Sequence, residues 1–206
     1  MRSFEDLLEE SVTFHGHLCP GQVLGVRLAM AGCREVGVSD PGRTRNLIVY
    51  VEIDRCAADA IQSATGCKLG KRTLKYVDYG KMAATFLNTE TGRAVRVLAR
   101  DDARERAWAY AQGGASKKEA QLQAYRSMPD HELFVIAPVL LEPAGEDLPG
   151  HPISRVVCDQ CGEGVNDRRE VRRGGNILCR ACAFGPYYRR VSPATMLTPL
   201  ETAVAR

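Results

Sequence analysis

The chain has 206 residues, of which 45% are hydrophobic and 26% are charged, and its formal net charge is +3. This composition is typical of a soluble globular protein with one ordinary core and a small appendage, and it excludes a largely disordered chain. The net charge is too small to indicate a nucleic-acid partner by itself.

The pattern of the first 66 residues predicts two helices, a strand and a short helix, at residues 3–13, 20–36, 47–53 and 56–64. Ser3 is a favourable N-cap, and Pro20 suits the first position of a helix because its missing N–H is not needed there. The run at 47–53 is rich in β-branched residues, which favour strands. Gly66 is expected to end the short helix.

The second half of the core predicts strands at 83–87, 94–99 and 134–141, with two helices between the second and third strand. Asp102 with Glu105, and Ser116 with Glu119, have the spacing of a capping box at the start of each helix. Pro138 cannot donate to a sheet, so the last strand should occupy an edge or bulged position. Helices grouped before and after adjacent strands predict an α+β core, a mixed or antiparallel sheet flanked by helices.

The segment 141–153 contains three prolines and two glycines without an apolar period, which is typical of a domain boundary. We therefore expect a core domain at 1–145, a small domain at 154–190 and a tail at 191–206. The N-terminus lacks the pattern of a signal peptide, and no apolar run approaches the roughly 20 residues that span a bilayer. The eight cysteines then indicate metal ligands or reduced thiols, and we expect a cytoplasmic protein without membrane association.

Two cysteine pairs near the C-terminus, Cys158-Asp-Gln-Cys161 and Cys179-Arg-Ala-Cys182, have the spacing of a zinc ribbon. Each pair can present two sulfurs from one turn, and two turns complete the tetrahedral S4 site of a structural Zn²⁺. Two disulfides or buried thiols are the alternative. Between His151 and Arg190, eight arginines stand against four acidic residues. This basic ribbon either contacts a protein or nucleic-acid partner or presents a solvated face.

A second group of potential ligands lies near the N-terminus, in Phe14-His-Gly-His-Leu-Cys-Pro-Gly21. His17 and Cys19 are one residue apart, so an extended backbone would point both toward one metal ion. The positive end of the following helix favours the thiolate of Cys19, which makes it a candidate catalytic residue. Cys56, just after the main strand, and Cys67 could complete a His/Cys pocket with one open coordination position.

The alternative is that these cysteines, like Cys33, pack as core thiols. A pocket of imidazole and thiolate would suit zinc, nickel or iron. Candidate ligand-binding residues around it are His15, Lys68, Tyr79 and Lys81, the lysines as an anion-binding wall or merely as exposed charges. Asp59 is expected to cap its helix or to hydrogen-bond a metal ligand.

Four ordered motifs resemble the FmdE family of formylmethanofuran dehydrogenase components: residues 14–21, 54–62 (Asp-Arg-Cys-Ala-Ala-Asp-Ala-Ile-Gln), 65–70 (Thr-Gly-Cys-Lys-Leu-Gly) and 78–81 (Asp-Tyr-Gly-Lys). The C-terminal cysteines match members that carry a zinc finger. The resemblance implies an α+β core with a metal- or thiol-bearing pocket at His17, Cys19 and Cys56, and a homodimer. Lys68 departs from the small hydroxyl residue expected at its position.

The sequence contains no pterin-binding or formyl-transferring motif, so formylmethanofuran dehydrogenase activity is not expected. The first hypothesis is a metal-binding accessory or regulatory protein whose pocket holds a metal or a metal-bound ligand and whose ribbon contacts a partner. The second is a metal- or thiol-dependent enzyme, of redox or sulfur-transfer type, that uses the pocket of His17, Cys19 and Cys56. The third is a purely structural interaction module.

Overall fold

The computed structural model describes residues 2–191. The chain divides after Gly150 into two compact units, a core unit and a C-terminal unit. The tail expected at 191–206 lies, except for its first residue, outside the described residues. Within residues 2–191, no helix is both long enough and apolar enough to cross a membrane.

The core unit consists of helices and one five-stranded sheet. Its helices are α1 (Phe4–His15), α2 (Pro20–Glu35), α3 (Cys56–Thr65), α4 (Ala103–Arg106), α5 (Lys117–Ser127) and α6 (Asp130–Leu133). Its strands are β1 (Leu47–Val51), β2 (Leu74–Tyr76), β3 (Ala83–Asn88), β4 (Ala94–Ala99) and β5 (Phe134–Val139). Short 3₁₀ turns occupy Leu69–Lys71, Ala107–Tyr110 and Gly145–Asp147.

The sheet has the order β2-β1-β3-β4-β5 and is mixed, because β1 pairs with β2 in parallel while the other neighbours are antiparallel. This arrangement confirms the α+β prediction. Pro138 lies in the edge strand β5, where its missing N–H is tolerated, as predicted. Strand β2 was missed, because three residues are too few to display an alternating pattern.

The predicted helix caps were partly right. The Ser3 hydroxyl accepts from the Asp6 amide, and Ser116 forms a capping box with Glu119. The predicted cap at Asp102 was wrong, because its side chain makes no capping hydrogen bond. Its carboxylate instead accepts hydrogen bonds from Arg100 and Arg106, and the helix that follows lasts only four residues.

Helix α2 packs tightly between α3 and the sheet through its glycines. A Cβ on Gly25 would lie 2.6 Å from Cβ of Ala60, and one on Gly32 would lie 2.2 Å from the Phe86 ring. Since neither contact can be tolerated, both positions require a residue without a side chain. This close approach fixes the N-termini of α2 and α3, from which Cys19 and Cys56 project.

The C-terminal unit consists of two hairpins and one short helix. Its elements are β6 (Arg155–Val157) paired with β7 (Gly164–Asn166), β8 (Val171–Arg173) paired with β9 (Asn176–Leu178), and α7 (Arg180–Phe184). The turn after β6 carries Cys158 and Cys161, and the start of α7 carries Cys179 and Cys182. The unit is a zinc-finger-like module, as predicted.

Candidate metal centres

The four cysteines of the C-terminal unit converge on one point. The sulfurs of Cys158, Cys161, Cys179 and Cys182 all lie within 4.8 Å of one another, and those of Cys161 and Cys179 are 3.9 Å apart. A tetrahedral site with Zn–S bonds of about 2.3 Å requires sulfurs about 3.8 Å apart. The cluster therefore fits a zinc ion with little rearrangement.

Backbone amides prepare these sulfurs for a cation. The amide of Cys179 donates to Sγ of Cys158 at 3.2 Å, and the amide hydrogen bonds from Cys179 and Cys161 lower the pKa of Cys158 to about 6. The Cys179 thiol, by contrast, raises the pKa of Cys182 to about 12. A Zn²⁺ ion bound here would stabilise all four sulfurs as thiolates.

A second cluster lies between α1 and α2, where His15, His17 and Cys19 place their ligand atoms within 4.8 Å of one another. His15 ends α1, and Gly16 turns the chain with a positive φ of 94° that other residues rarely adopt. Cys19 is the N-cap of α2 and has an extended backbone. The two imidazole rings lie 4.6 Å apart. The turn thus gathers two imidazoles and one sulfur, a donor set that suits a transition metal.

His15 is the most informative member of this cluster. Its Nδ1 lies 2.8 Å from Oδ2 of Asp59 on α3. Its Nε2 is buried and has no hydrogen-bond partner within residues 2–191. A carboxylate on one imidazole nitrogen, with the other nitrogen left free, is the arrangement of metal-binding histidines, because the carboxylate fixes the ring and raises its basicity. An ion bound at Nε2 would satisfy the orphaned atom.

Cys56 lies beside Cys19 at the same junction. A Cβ on Gly21 would lie 2.9 Å from Cβ of Cys56 and 3.6 Å from Sγ of Cys19. Burial and then the neighbouring Cys19 thiol raise the pKa of Cys56. The two sulfurs are therefore close, although Cys56 is not among the three residues whose ligand atoms lie within 4.8 Å.

The cluster borders a cleft of about 490 Å³. His15, Cys56 and Asp59 line one part of it, and the remaining wall is mainly apolar, with Val51, Ile53, Leu69, Leu74 and Tyr76. Asp54 and Arg55 supply the other charged groups. A metal at the cluster would therefore have a neighbouring space for a small ligand with apolar parts.

Other predicted residues lie apart from this cluster. Cys67 is buried with its thiol 3.7 Å from the Leu47 carbonyl oxygen, and burial raises its pKa. Lys68 lines an adjacent cavity of about 590 Å³. Tyr79 and Lys81 are exposed, 5.8 Å apart between ring centroid and Nζ, and neither is among the residues that line the cleft.

Sequence reasoning missed a buried polar link behind the cluster. The Ser11 hydroxyl on α1 donates to Gln22 on α2, and the Gln22 amide donates to the Cys56 carbonyl at 2.6 Å. Ser11 and Gln22 are both fully buried. The link joins the three helices that carry the candidate ligands. Its signal in the sequence is a glutamine that directly precedes the apolar pair Val23-Leu24 of α2.

Comparisons with known proteins match each of the two units to a family model. Residues 14–135 match the family model described as FmdE, molybdenum formylmethanofuran dehydrogenase operon. Residues 152–188 match the prokaryotic dksA/traR C4-type zinc finger. The crystal structure of a tungsten formylmethanofuran dehydrogenase FmdE-like protein from Syntrophus aciditrophicus resembles this fold with a TM-score of 0.62, covering 91% of this chain and 96% of that chain at 23% identity.

A curated relative is similar over a shorter stretch. It is described as a probable S-adenosyl-L-methionine-binding protein of Archaeoglobus fulgidus and is 37% identical over 94 residues, which are 44% of this chain and 26% of that protein. The chain thus spans about a quarter of that relative's length. The match supports a shared segment, and the crystal structure supports a shared fold.

Proposed function

The chain belongs to the FmdE family, and on that premise we propose that it is a metal-binding accessory or regulatory protein with two metal sites. The core site holds a transition metal, or a small ligand bound to one, at His15, His17 and Cys19. The second site holds a structural Zn²⁺ at the four C-terminal cysteines. Formation of a homodimer and a cytoplasmic location complete the proposal, the first from the family resemblance and the second from the unpaired cysteines.

The observation that carries the core site is the buried Nε2 of His15, which has no hydrogen-bond partner within the described residues 2–191. Asp59 holds the ring from its other side. A buried polar atom without a partner is costly, and an ion shared with His17 and Cys19 removes that cost. Three protein ligands beside a cleft leave a position for water or a ligand, which is typical of sites that do more than stabilise a fold. Imidazole and sulfur donors suit zinc, nickel or iron.

The C-terminal unit supports the accessory role. A domain this small cannot bury enough apolar surface to fold alone, so its zinc supplies the stabilisation. Its excess of arginine over acidic residues makes it the candidate surface for a protein or nucleic-acid partner.

The alternative function is a metal- or thiol-dependent enzyme, and the closeness of the Cys19 and Cys56 thiols favours it. With Cys56 lining the cleft, the pair could take part in redox or sulfur-transfer chemistry, with Cys19 as the reacting thiol. The name of the curated relative makes S-adenosyl-L-methionine one ligand to test, although the matched stretch is 26% of that protein.

The decisive experiment measures metals per chain by elemental analysis of the purified protein and its variants. We expect two equivalents in the wild type, with one lost in Cys158→Ser and the other lost in His15→Ala or His17→Ala. His131→Ala, which removes an exposed histidine, is the matched control and should retain both. A single equivalent that disappears with Cys158→Ser would leave the core proposal without support. Turnover that Cys19→Ala abolishes, with metal content intact, would favour the enzyme.

A further inference from the structure

The end of the C-terminal unit carries an unusual amount of exposed aromatic surface. Phe184 is 69% exposed, Tyr188 is 44% exposed and Tyr187 is fully exposed, so three rings face solvent within five residues. Exposed aromatic groups at this density mark interaction sites rather than ordinary surface. We call the set formed by these rings with Arg173, Arg189 and Arg190 the aromatic–arginine strip.

One arginine of the strip lies against a ring, and the other two directly follow the tyrosines in the sequence. The Arg173 guanidinium carbon lies 5.8 Å from the Phe184 ring centroid, and the same side chain donates to the Ala183 carbonyl. Arg190 is the partner of Glu163 at 3.8 Å. Arg189 is exposed and has no acidic partner within residues 2–191. The strip therefore retains positive charge next to its rings.

The surrounding unit enhances this charge. Residues 151–191 contain eight arginines, no lysine and four acidic residues. Arginine contacts phosphate with a planar, bidentate fork and stacks on flat rings, which lysine does not do. The chemistry that complements the strip is thus a chain of phosphates carrying planar groups.

From this geometry we propose that the aromatic–arginine strip binds single-stranded nucleic acid, with its tyrosine rings stacking on bases and its arginines contacting the backbone. The inference rests on the proposed function of the C-terminal unit as a partner-binding module, and it names the partner. A duplex fits less well, because stacking needs unpaired bases and because the only helix of the described unit, α7, has five residues and is too short to read a groove.

The size of the effect follows from the contacts. Three arginine–phosphate contacts predict a slope of about −2 for the logarithm of the affinity against the logarithm of the salt concentration, since each contact with a single strand contributes about −0.7. Loss of one stacking ring should weaken binding about 5- to 150-fold and leave the slope unchanged. Loss of one arginine should make the slope less steep by about 0.7.

The test is fluorescence anisotropy of the full-length protein with a labelled single-stranded oligonucleotide of about 12 residues, as DNA and as RNA, at several salt concentrations. We expect Tyr187→Ala to weaken binding within the stated range, Tyr187→Phe to restore it, and Arg189→Gln to reduce the salt slope. Because Tyr187 is fully exposed, its replacement leaves the fold intact. Trp108→Ala, which removes an exposed ring from the core unit, is the control and should bind like wild type.

Two results would overturn the inference. One is the absence of binding at low salt, which would leave a protein as the partner. The other is equal binding of a duplex that Tyr187→Ala does not affect, which would reduce the strip to nonspecific electrostatic attraction. Metal content is measured in the same preparations. If the wild-type protein retains both metals but binds no nucleic acid, only this inference is refuted and the proposed core metal site is unaffected.

Discussion

Replacement of Asp59 tests whether the core site depends on the hydrogen bond that orients His15. Asp59→Asn keeps an acceptor oxygen of the same shape but removes the negative charge, whereas Asp59→Ala removes both. The Asp59 carboxylate lies 2.8 Å from Nδ1 of His15. Its side chain is 48% exposed and that of His15 is 13% exposed. The donor is thus well shielded, while its carboxylate partner is half in water.

The expected loss of metal affinity follows from this exposure. Substituting the partner of a metal-binding histidine typically costs a factor of about 10 to 100 in affinity. Because solvent screens a half-exposed carboxylate, Asp59→Asn should weaken metal binding by about tenfold, or ~1.4 kcal/mol, which is the lower end of this range. Asp59→Ala, which also removes the acceptor, should approach a factor of about 100. His15→Ala removes a ligand and should exceed both.

The assay is competition for Zn²⁺ or Co²⁺ between the protein and a chromophoric chelator, with the C-terminal zinc already bound and counted. Asp54→Asn is the control, because Asp54 lines the same cleft but makes no bond to His15 within residues 2–191. Equal losses for Asp54→Asn and Asp59→Asn would show a general effect of charge. An unchanged affinity in Asp59→Ala, with His15→Ala still impaired, would refute the assigned role of the hydrogen bond.

Three further outcomes are expected. Gly32→Ala should lower the free energy of unfolding, measured in urea, by about 1–3 kcal/mol, because the new Cβ would overlap the Phe86 ring. Gly70→Ala is the control: a Cβ at Gly70 has no atom within 4 Å, so the change should be less than about 0.5 kcal/mol. Burial opposes ionisation of Asp130, but hydrogen bonds from Arg27 and a second arginine outweigh it and hold its pKa below the usual value. The contribution of ionised Asp130 to the free energy of unfolding is therefore present above about pH 4 and is lost as the pH falls through the folded-state pKa. Asp130→Asn should lower the free energy of unfolding at neutral pH and make its decrease in acid less steep. Removal of zinc by a strong chelator should unfold the C-terminal unit, which proteolysis would detect. The thermal unfolding of the core unit, followed by the fluorescence of the single tryptophan, should stay unchanged. Simultaneous unfolding of both units would contradict this prediction.

The C-terminal zinc site was predictable from the sequence because its determinants are local. Two residues between cysteines of a pair fix how a single turn presents both sulfurs, and the pairs at Cys158 and Cys179 needed only a short hairpin to meet. Helix starts at Ser3 and Ser116 were predictable for the same reason, since a cap is decided within four residues. Asp102 shows the limit of this logic, because Arg100 and Arg106 compete for the carboxylate that would have capped the helix.

The core site was predictable only in part. His17 and Cys19 lie together because they share one turn, but the pairing of His15 with Asp59, 44 residues later in the chain, depends on how α1 packs against α3. Cys67 and Cys19 are both cysteines within family motifs, and both were candidate ligands of the same pocket. The Cys67 thiol is nevertheless buried near the Leu47 carbonyl. Residue type could not separate these two cysteines, because burial is decided by the packed helices and sheet.

The sequence alone determined the α+β class, the zinc-finger-like module and the residues available as ligands, since periodicity, caps and short spacings act within a few residues. Tertiary structure decided which of those residues meet. It brought α3 against α2 through close contacts at Gly21 and Gly25, where a side chain would not fit. Within residues 2–191 it left one nitrogen of His15 buried and without a hydrogen-bond partner. Contacts between distant segments depend on the packing of whole elements, and that packing is what turned a list of histidines and cysteines into a candidate metal centre.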